Sequence, residues 1–110
     1  MVGAGAGVGA GGMSKIRKSA QDRDCQVRIA GVCTFDPATT IWSHYRGEAG
    51  GKGGAIKSDD ICGAYACTAC DAVYDGQRPR PDGMTKEQVD LDWLVGHIRS
   101  IRILAREGLI

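Results

Sequence analysis

Five cysteines are the residues in this 110-residue chain whose type and spacing most directly indicate chemistry. Cys67 and Cys70 form a C-x-x-C pair, and Cys25 and Cys33 close the segment Cys-Gln-Val-Arg-Ile-Ala-Gly-Val-Cys. Structural zinc sites use four such ligands, commonly offered as two close pairs on turns. The spacing therefore predicts one structural Zn²⁺ held by all four of these cysteines.

The fifth cysteine leaves part of that ligand set open. Cys62 lies in an apolar stretch, where a small buried core residue is its simplest role, although it could replace Cys33 as a ligand. Buried free thiols and a redox-active Cys67–Cys70 pair are the other interpretations of the cysteines. The redox interpretation is the weakest, because no thioredoxin-like βαβ pattern surrounds the C-x-x-C pair.

A second group of residues suits acid–base and phosphate chemistry. His44 ends a β-branched and aromatic run, and Arg46 follows two positions later. Asp71 and Asp75 are four positions apart, so on a helix they share a face and can offer oxygen ligands to a hard divalent ion. Such a pair is more often a solvated helix face, so its meaning depends on its surroundings. His97 is expected to be a packing residue of the last helix.

The charge balance is uninformative over the whole chain and uneven within it. The formal net charge is +1, which gives no global signature of a nucleic-acid binder. Between Lys15 and Lys57, however, eight basic residues stand against four acidic ones. This basic half is either an ordinary solvated surface or a phosphate-facing patch.

The strands and turns that must position these residues are visible in the pattern. Val27 and Ile29 alternate with polar residues, which predicts a short hairpin between Cys25 and Cys33. A β-branched and aromatic run over 39–45 predicts a strand ending near His44, and the apolar stretch 61–66 predicts another.

Two helices complete the predicted fold. The first starts at the C-x-x-C pair and ends at Gly76, and the last begins at a capping box of Thr85 and Gln88 and ends at Gly108. A face of the last helix repeats at helical spacing and is expected to pack on the sheet; its members are Leu94, Ile98, Ile101 and Ala105, with Val89 and Trp93 on or near it. The prediction is a small α+β fold.

Residues 1–13 differ from the rest of the chain. Residues 1–12 are Met, Val, Gly and Ala alone, without side chains able to pack a core, so a disordered Gly/Ala arm is expected there and one domain over 14–110. The odd number of cysteines and the lack of a secretory signal pattern favour a reducing cytoplasm. No apolar run approaches membrane-spanning length, and no membrane partner is expected.

The order of the parts adds a specific resemblance. A strand bearing a histidine, a loop, a second strand and a metal-binding helix form the ββα-metal, or His-Me finger, arrangement. From Ile16 to Ile110 the chain resembles the YbcO-like nuclease family of lambdoid prophages, within the HNH-type superfamily. The segments that carry the resemblance are Lys15–Ala20, Cys25–Cys33, Pro37–Thr40, Ser43–Arg46, Ala66–Cys70 and Glu107–Gly108.

The resemblance implies a metal-dependent DNA endonuclease of phage or prophage origin, acting in the cytoplasm of a bacterial host. His44 would be the general base that takes a proton from the attacking water, and Arg46 would clamp a phosphate oxygen. A Mg²⁺ or Mn²⁺ ion at Asp71 and Asp75 would polarise the phosphate. Four basic residues would hold the DNA backbone without reading sequence: Lys15, Arg17, Lys18 and Arg28.

The sequence also departs from the pattern of these relatives. Asp71 stands after the C-x-x-C pair where relatives carry a histidine, which favours Mg²⁺ or Mn²⁺ over softer ions. Ser43 precedes the proposed base where the wider superfamily often has a metal ligand. The chain contains no asparagine, so the middle residue of the HNH motif is missing. The alternative function is a zinc-stabilised nucleic-acid-binding or adaptor module without cleavage activity.

Overall fold

The computed structural model describes residues 15–47 and 60–110, and the predicted Gly/Ala arm lies outside them. Within those two ranges the chain forms a short antiparallel sheet, three α-helices and one 3-10 turn. In chain order the elements are α1 (Lys15–Lys18), the 3-10 turn (Pro37–Thr39), β1 (Thr40–His44), β2 (Gly63–Cys67), α2 (Thr68–Tyr74) and α3 (Lys86–Arg106). The predicted α+β class and the long C-terminal helix are confirmed.

The sheet consists of β1 and β2, paired from Thr40 opposite Cys67 to His44 opposite Gly63. Successive side chains of a strand point to opposite faces. The Trp42 side chain packs edge-on against Tyr65 on one face, with ring centroids 5.2 Å apart. Ser43 is buried on the other face. The alternation therefore gives the two faces of β1 different neighbours.

α3 is the longest element and packs along β2. It begins at the predicted capping box of Thr85 and Gln88, and Gly108 follows its end with a φ of 73°. The helix approaches the chain near Val27 so closely that a Cβ on Gly96 would lie 2.8 Å from the Val27 Cα. No helix in the described part of the chain is both long and apolar enough to cross a membrane.

The predicted packing face of α3 was wrong in part. Leu94 and Ile98 are 48% and 53% exposed. The buried residues of the helix are instead Val89, Trp93, Gly96, Ser100 and Leu104. Small residues at 96 and 100 allow the close approach on this face, and Ser100 donates its hydroxyl to the Gly96 carbonyl. The apolar positions with the clearest periodicity therefore face outward.

The predicted hairpin between Cys25 and Cys33 was also wrong, since this segment contains no strand and turns at Ile29. The Cys33 amide donates to the Ile29 carbonyl, and Arg28 has a left-handed φ of 55° that interrupts an extended backbone. In a hairpin, the backbone amides of Arg28 and Ile29 could donate to a neighbouring strand. Here the Arg28 amide donates to the Cys25 Sγ and the Ile29 amide to the Cys70 Sγ.

The buried side chains form two clusters. One contains three of the cysteines together with Val27, Ile29, Val89 and Trp93, and Cys33 packs against it. The second contains Ala20, Trp42, Tyr65 and Leu104, on the side of the sheet nearer α1. The larger cluster places the cysteines at the junction of β2, α2, α3 and the 25–33 segment, so packing fixes their positions.

Candidate metal centre and adjoining histidine site

Cys25, Cys33, Cys67 and Cys70 come together as predicted from their spacing. Their four Sγ atoms all lie within 4.8 Å of one another, and those of Cys67 and Cys33 are 4.0 Å apart. Tetrahedral metal–sulfur bonds of about 2.3 Å would place the sulfurs roughly 3.8 Å apart. The four cysteines can therefore hold a metal ion after a small contraction.

Backbone geometry positions these sulfurs. Cys67 ends β2 and caps α2, so the C-x-x-C pair spans a strand-to-helix junction, where the Cys70 amide donates to the Cys67 Sγ at 3.4 Å. The turn after Cys25 contributes two further N–H donors, from Arg28 to the Cys25 Sγ at 3.5 Å and from Ile29 to the Cys70 Sγ at 3.4 Å. Such donors stabilise thiolates.

The thiols of this cluster perturb one another's ionisation. A hydrogen bond with Cys70 lowers the pKa of Cys25 to about 5, and the same bond raises the pKa of Cys70. Burial raises the pKa of Cys33 to about 11. Without a cation the shared hydrogen bond thus favours a Cys25 thiolate beside a protonated Cys70, whereas a bound metal ion stabilises the thiolate form of its ligands.

Cys62 stands apart from this centre. The only set of three or more potential metal ligands found within the described ranges contains the other four cysteines. Cys62 is half-buried, and it precedes Gly63 at the start of β2. The prediction that Cys33 and not Cys62 completes the cluster is consistent with this arrangement.

His44 lies at the end of β1, beside a carboxylate that sequence reasoning missed. Its Nε2 is 3.2 Å from the Oδ1 of Asp60, and both side chains are partly exposed. Arg17 of α1 donates to the same oxygen from Nε at 3.1 Å and from Nη2 at 3.0 Å. No local sequence pattern indicates Asp60, because its contact with His44 across 16 positions depends on how β1 and β2 pair.

Arg46 lies between Asp71 of α2 and Asp75, the residue that caps the end of that helix. Its Nη2 is 3.3 Å from the Asp71 Oδ1 and its Nε is 3.1 Å from the Asp75 Oδ1. Ser43 donates its hydroxyl to the same Asp71 oxygen at 2.6 Å, and the buried indole of Trp93 donates to that hydroxyl at 3.0 Å. The predicted carboxylate pair therefore shares one helix face, and in this arrangement it holds a guanidinium cation.

The structure separates the predicted catalytic residues into two groups. His44 contacts Asp60, whose carbonyl accepts the indole N–H of Trp42, so His44 shares the Trp42 face of β1. Asp71 is bound to Ser43 on the opposite face. The end of β1 joins the two groups, since Arg46 follows His44 by only two positions.

The predicted backbone-binding residues also fall into two places. Lys15 and Lys18 are exposed on α1. Arg17, on the same helix, is half-buried, and its guanidinium binds Asp60. Arg28 lies on the cysteine-bearing turn and donates to the Cys25 carbonyl and to the Gln26 side chain. The cations of α1 thus lie on the helix whose Arg17 shares the Asp60 carboxylate with His44, whereas Arg28 lies next to the cysteine cluster.

The second histidine is a packing residue, as expected. The His97 ring is parallel to that of Trp93, with centroids 5.7 Å apart. Its Nδ1 lies 2.6 Å from the Gly63 carbonyl. His97 therefore fastens α3 to the start of β2.

The fold and the site together define a small α+β protein in which four clustered cysteines could hold a metal ion at one end of the sheet, and His44 contacts Asp60 at the other end. A family model described as "Putative nuclease YbcO" matches residues 14–109. The chain belongs to this YbcO family.

Relatives and a solved structure agree with that assignment. The chain is 37% identical over 99 residues to proteins named "Putative nuclease YbcO" in Escherichia coli K12 and "Putative nuclease ybcO" in Enterobacteria phage 82, covering 89% of this chain and 98% of each relative. It also resembles a solved structure described as a "putative bacteriophage protein" from Escherichia coli K-12. The TM-score is 0.68 at 33% identity, over 86% of this chain and all of that one.

Proposed function

We propose that this protein is a metal-dependent DNA endonuclease of phage or prophage origin, in which His44 is the general base. The observation that carries the proposal is the contact between the His44 Nε2 and the Asp60 Oδ1, 3.2 Å apart at the end of β1. The nuclease names of its relatives supply the class of reaction. The bacterial cytoplasm is the expected place of action.

The His44–Asp60 contact suits general base catalysis. A carboxylate only accepts hydrogen bonds, so Asp60 holds the proton on Nε2 and leaves the lone pair on Nδ1. Nδ1 can then take a proton from a water molecule as its oxygen bonds to the phosphorus. The bond from phosphorus to the 3′-oxygen breaks in the same displacement, and hydrolysis of the phosphodiester is complete when that oxygen is protonated.

Asp60 and Arg17 act as positioning residues in this proposal. Two guanidinium hydrogen bonds from Arg17 fix the Asp60 carboxylate, which in turn orients the His44 ring. Lys15 and Lys18 are exposed on the same helix as Arg17 and would contact phosphates without reading sequence.

The order of elements supports a ββα-metal finger, since β1, β2 and α2 follow one another and His44 ends the first strand. Four thiolates in a tetrahedron are a ligand set that suits Zn²⁺. Bound at the β2–α2 junction, zinc would tie this finger to the turn that carries Cys25 and Cys33. Its role would be structural.

A second ion, Mg²⁺ or Mn²⁺, would be held by Asp71 and Asp75. The donor set fits a hard cation, since both ligands are carboxylates and they already bind the positive charge of Arg46. Such an ion would stabilise negative charge on the phosphate and on the leaving oxygen. Arg46, released from the two carboxylates, would be free to donate to a phosphate oxygen.

The test is plasmid nicking in the presence of Mg²⁺ or Mn²⁺. His44→Ala should reduce the rate by roughly 10²–10⁴-fold, the usual contribution of a general base, without loss of cysteine-bound metal. His97→Gln is the matched control, because it removes the other histidine, and it should retain most of the activity. Equal rates for His44→Ala and the wild type would contradict the proposal.

One observation favours the alternative, a zinc-stabilised nucleic-acid-binding or adaptor module. Arg46 neutralises the two carboxylates on which the catalytic ion depends. If the wild-type protein binds DNA and cleaves none with any divalent ion, the binding module is the correct function.

A further inference from the structure

We propose that two copies of this chain form a symmetric dimer in which their α3 helices pack antiparallel. The contact surface is the exposed apolar stripe formed by Leu91, Leu94, Val95 and Ile98, named here the α3 stripe. The proposal is independent of whether the protein cleaves DNA.

The spacing and exposure of the α3 stripe are the first observation. Its members follow one another at intervals that place them on a single helix face. Leu91, Leu94 and Ile98 are 59%, 48% and 53% exposed, and Val95 is 37% exposed. A helix that buries one face against its own sheet is ordinarily polar on the opposite, outward face. The outward face of α3 is instead apolar, and no other residue in the described part of the chain covers it. Contiguous exposed apolar patches mark interaction sites.

The charges at the two ends of the stripe indicate the partner. Glu87 lies four positions before Leu91 and Arg102 four positions after Ile98, so both continue the same face. Both side chains are exposed, and neither forms a salt bridge within residues 15–47 and 60–110. The face is therefore acidic at one end, apolar in the middle and basic at the other end.

This pattern complements itself only when the second helix runs in the opposite direction. We place the two-fold axis of the dimer between Leu94 and Val95. Leu91 of one copy then faces Ile98 of the other, and Glu87 of each copy faces Arg102 of the other, so that each contact occurs twice. A parallel arrangement would place Glu87 against Glu87, which is unfavourable. Charge complementarity thus favours a second copy of this chain, in antiparallel orientation, as the occupant of the α3 stripe.

Sedimentation equilibrium of the full-length chain over a range of concentrations tests the dimer. The wild type should associate reversibly, and Ile98→Asp should weaken association at least tenfold, because a charge would be buried in the apolar contact. Phe35→Asp is the matched control: Phe35 is 72% exposed and is not part of α3, so this variant should dimerise like the wild type. Circular dichroism verifies that both variants fold.

A charge exchange gives a second test that does not depend on apolar substitutions. Glu87→Arg and Arg102→Glu should each weaken the dimer several-fold, because each opposes like charges, and the double variant should restore wild-type association. A wild type that stays monomeric up to about 1 mM would overturn the proposal. So would single exchanges that leave association unchanged, or a double variant that shows no recovery.

Discussion

The cysteine cluster and the His44 site differ in what holds them in place. The four cysteines belong to a packed core, with backbone amides directed at three of their sulfurs. His44, in contrast, is partly exposed at a strand end and depends on the side chains of Asp60 and Arg17. Backbone and packing thus fix the four cysteines, whereas a few polar side chains fix His44. Substitutions should therefore cost stability in the first region and activity in the second.

The largest effect is expected at the metal centre. Cys70→Ser removes a fully buried ligand, so the protein should lose its bound metal and much of its folding free energy, since binding of a structural zinc ion contributes on the order of 10 kcal/mol. Metal analysis and thermal denaturation measure the two losses.

Cys62→Ser provides the control for that substitution, because Cys62 lies outside the cluster. It should retain the full metal content and melt within a few degrees of the wild type. A wild-type protein that contains no metal, and melts at the same temperature as Cys70→Ser, would contradict a structural metal centre.

An intermediate effect, on activity alone, is expected at Asp60. Asp60→Ala removes the carboxylate that orients the His44 ring, so the cleavage rate should fall by roughly 10–10²-fold while the metal content stays unchanged. A rate equal to that of the wild type would show that the Asp60 contact has no functional role.

The smallest effect is expected at Arg46, where the two regions meet. Arg46→Met removes the cation that Asp71 and Asp75 now bind, so affinity for Mn²⁺ should rise about tenfold, since two positive charges compete for the same carboxylates. Calorimetric titration of the zinc-loaded protein measures this affinity. Arg78→Met, at an exposed loop position, is the control and should bind Mn²⁺ as the wild type does. If Arg46→Met and Arg78→Met bind Mn²⁺ with equal affinity, Asp71 and Asp75 are not the ion site.

Features that rest on local sequence patterns could be predicted from the sequence, whereas features that rest on contacts in the folded chain could not. The clustering of the four cysteines was predictable because C-x-x-C at a helix start is a local pattern, and Cys25 and Cys33 offered the second pair. The hairpin between them was not, because the amides of Arg28 and Ile29 donate to sulfur instead of to a second strand. The alternation of apolar and polar residues that predicted the hairpin does not indicate that sulfur atoms would accept these hydrogen bonds.

The features missed elsewhere depend on tertiary contacts. Periodicity favoured Leu94 and Ile98 as the packing face of α3, but the buried face uses Gly96 and Ser100, whose size permits contact with Val27 and a hydrogen bond to the Tyr65 amide. Asp60 likewise gains its importance only after β1 and β2 pair. Residues that contact one another across the chain in this way have no signature in their local sequence.

The separation of a structural zinc from a catalytic site at His44 is tested most directly by measuring zinc content and plasmid nicking in one sample while Mg²⁺ or Mn²⁺ is added. We expect zinc to stay at one ion per chain, bound by Cys25, Cys33, Cys67 and Cys70, and nicking to rise from baseline with the added ion. Nicking at full rate without any added ion, lost only when the zinc is removed, would contradict the division between a structural metal centre and a separate catalytic site at His44.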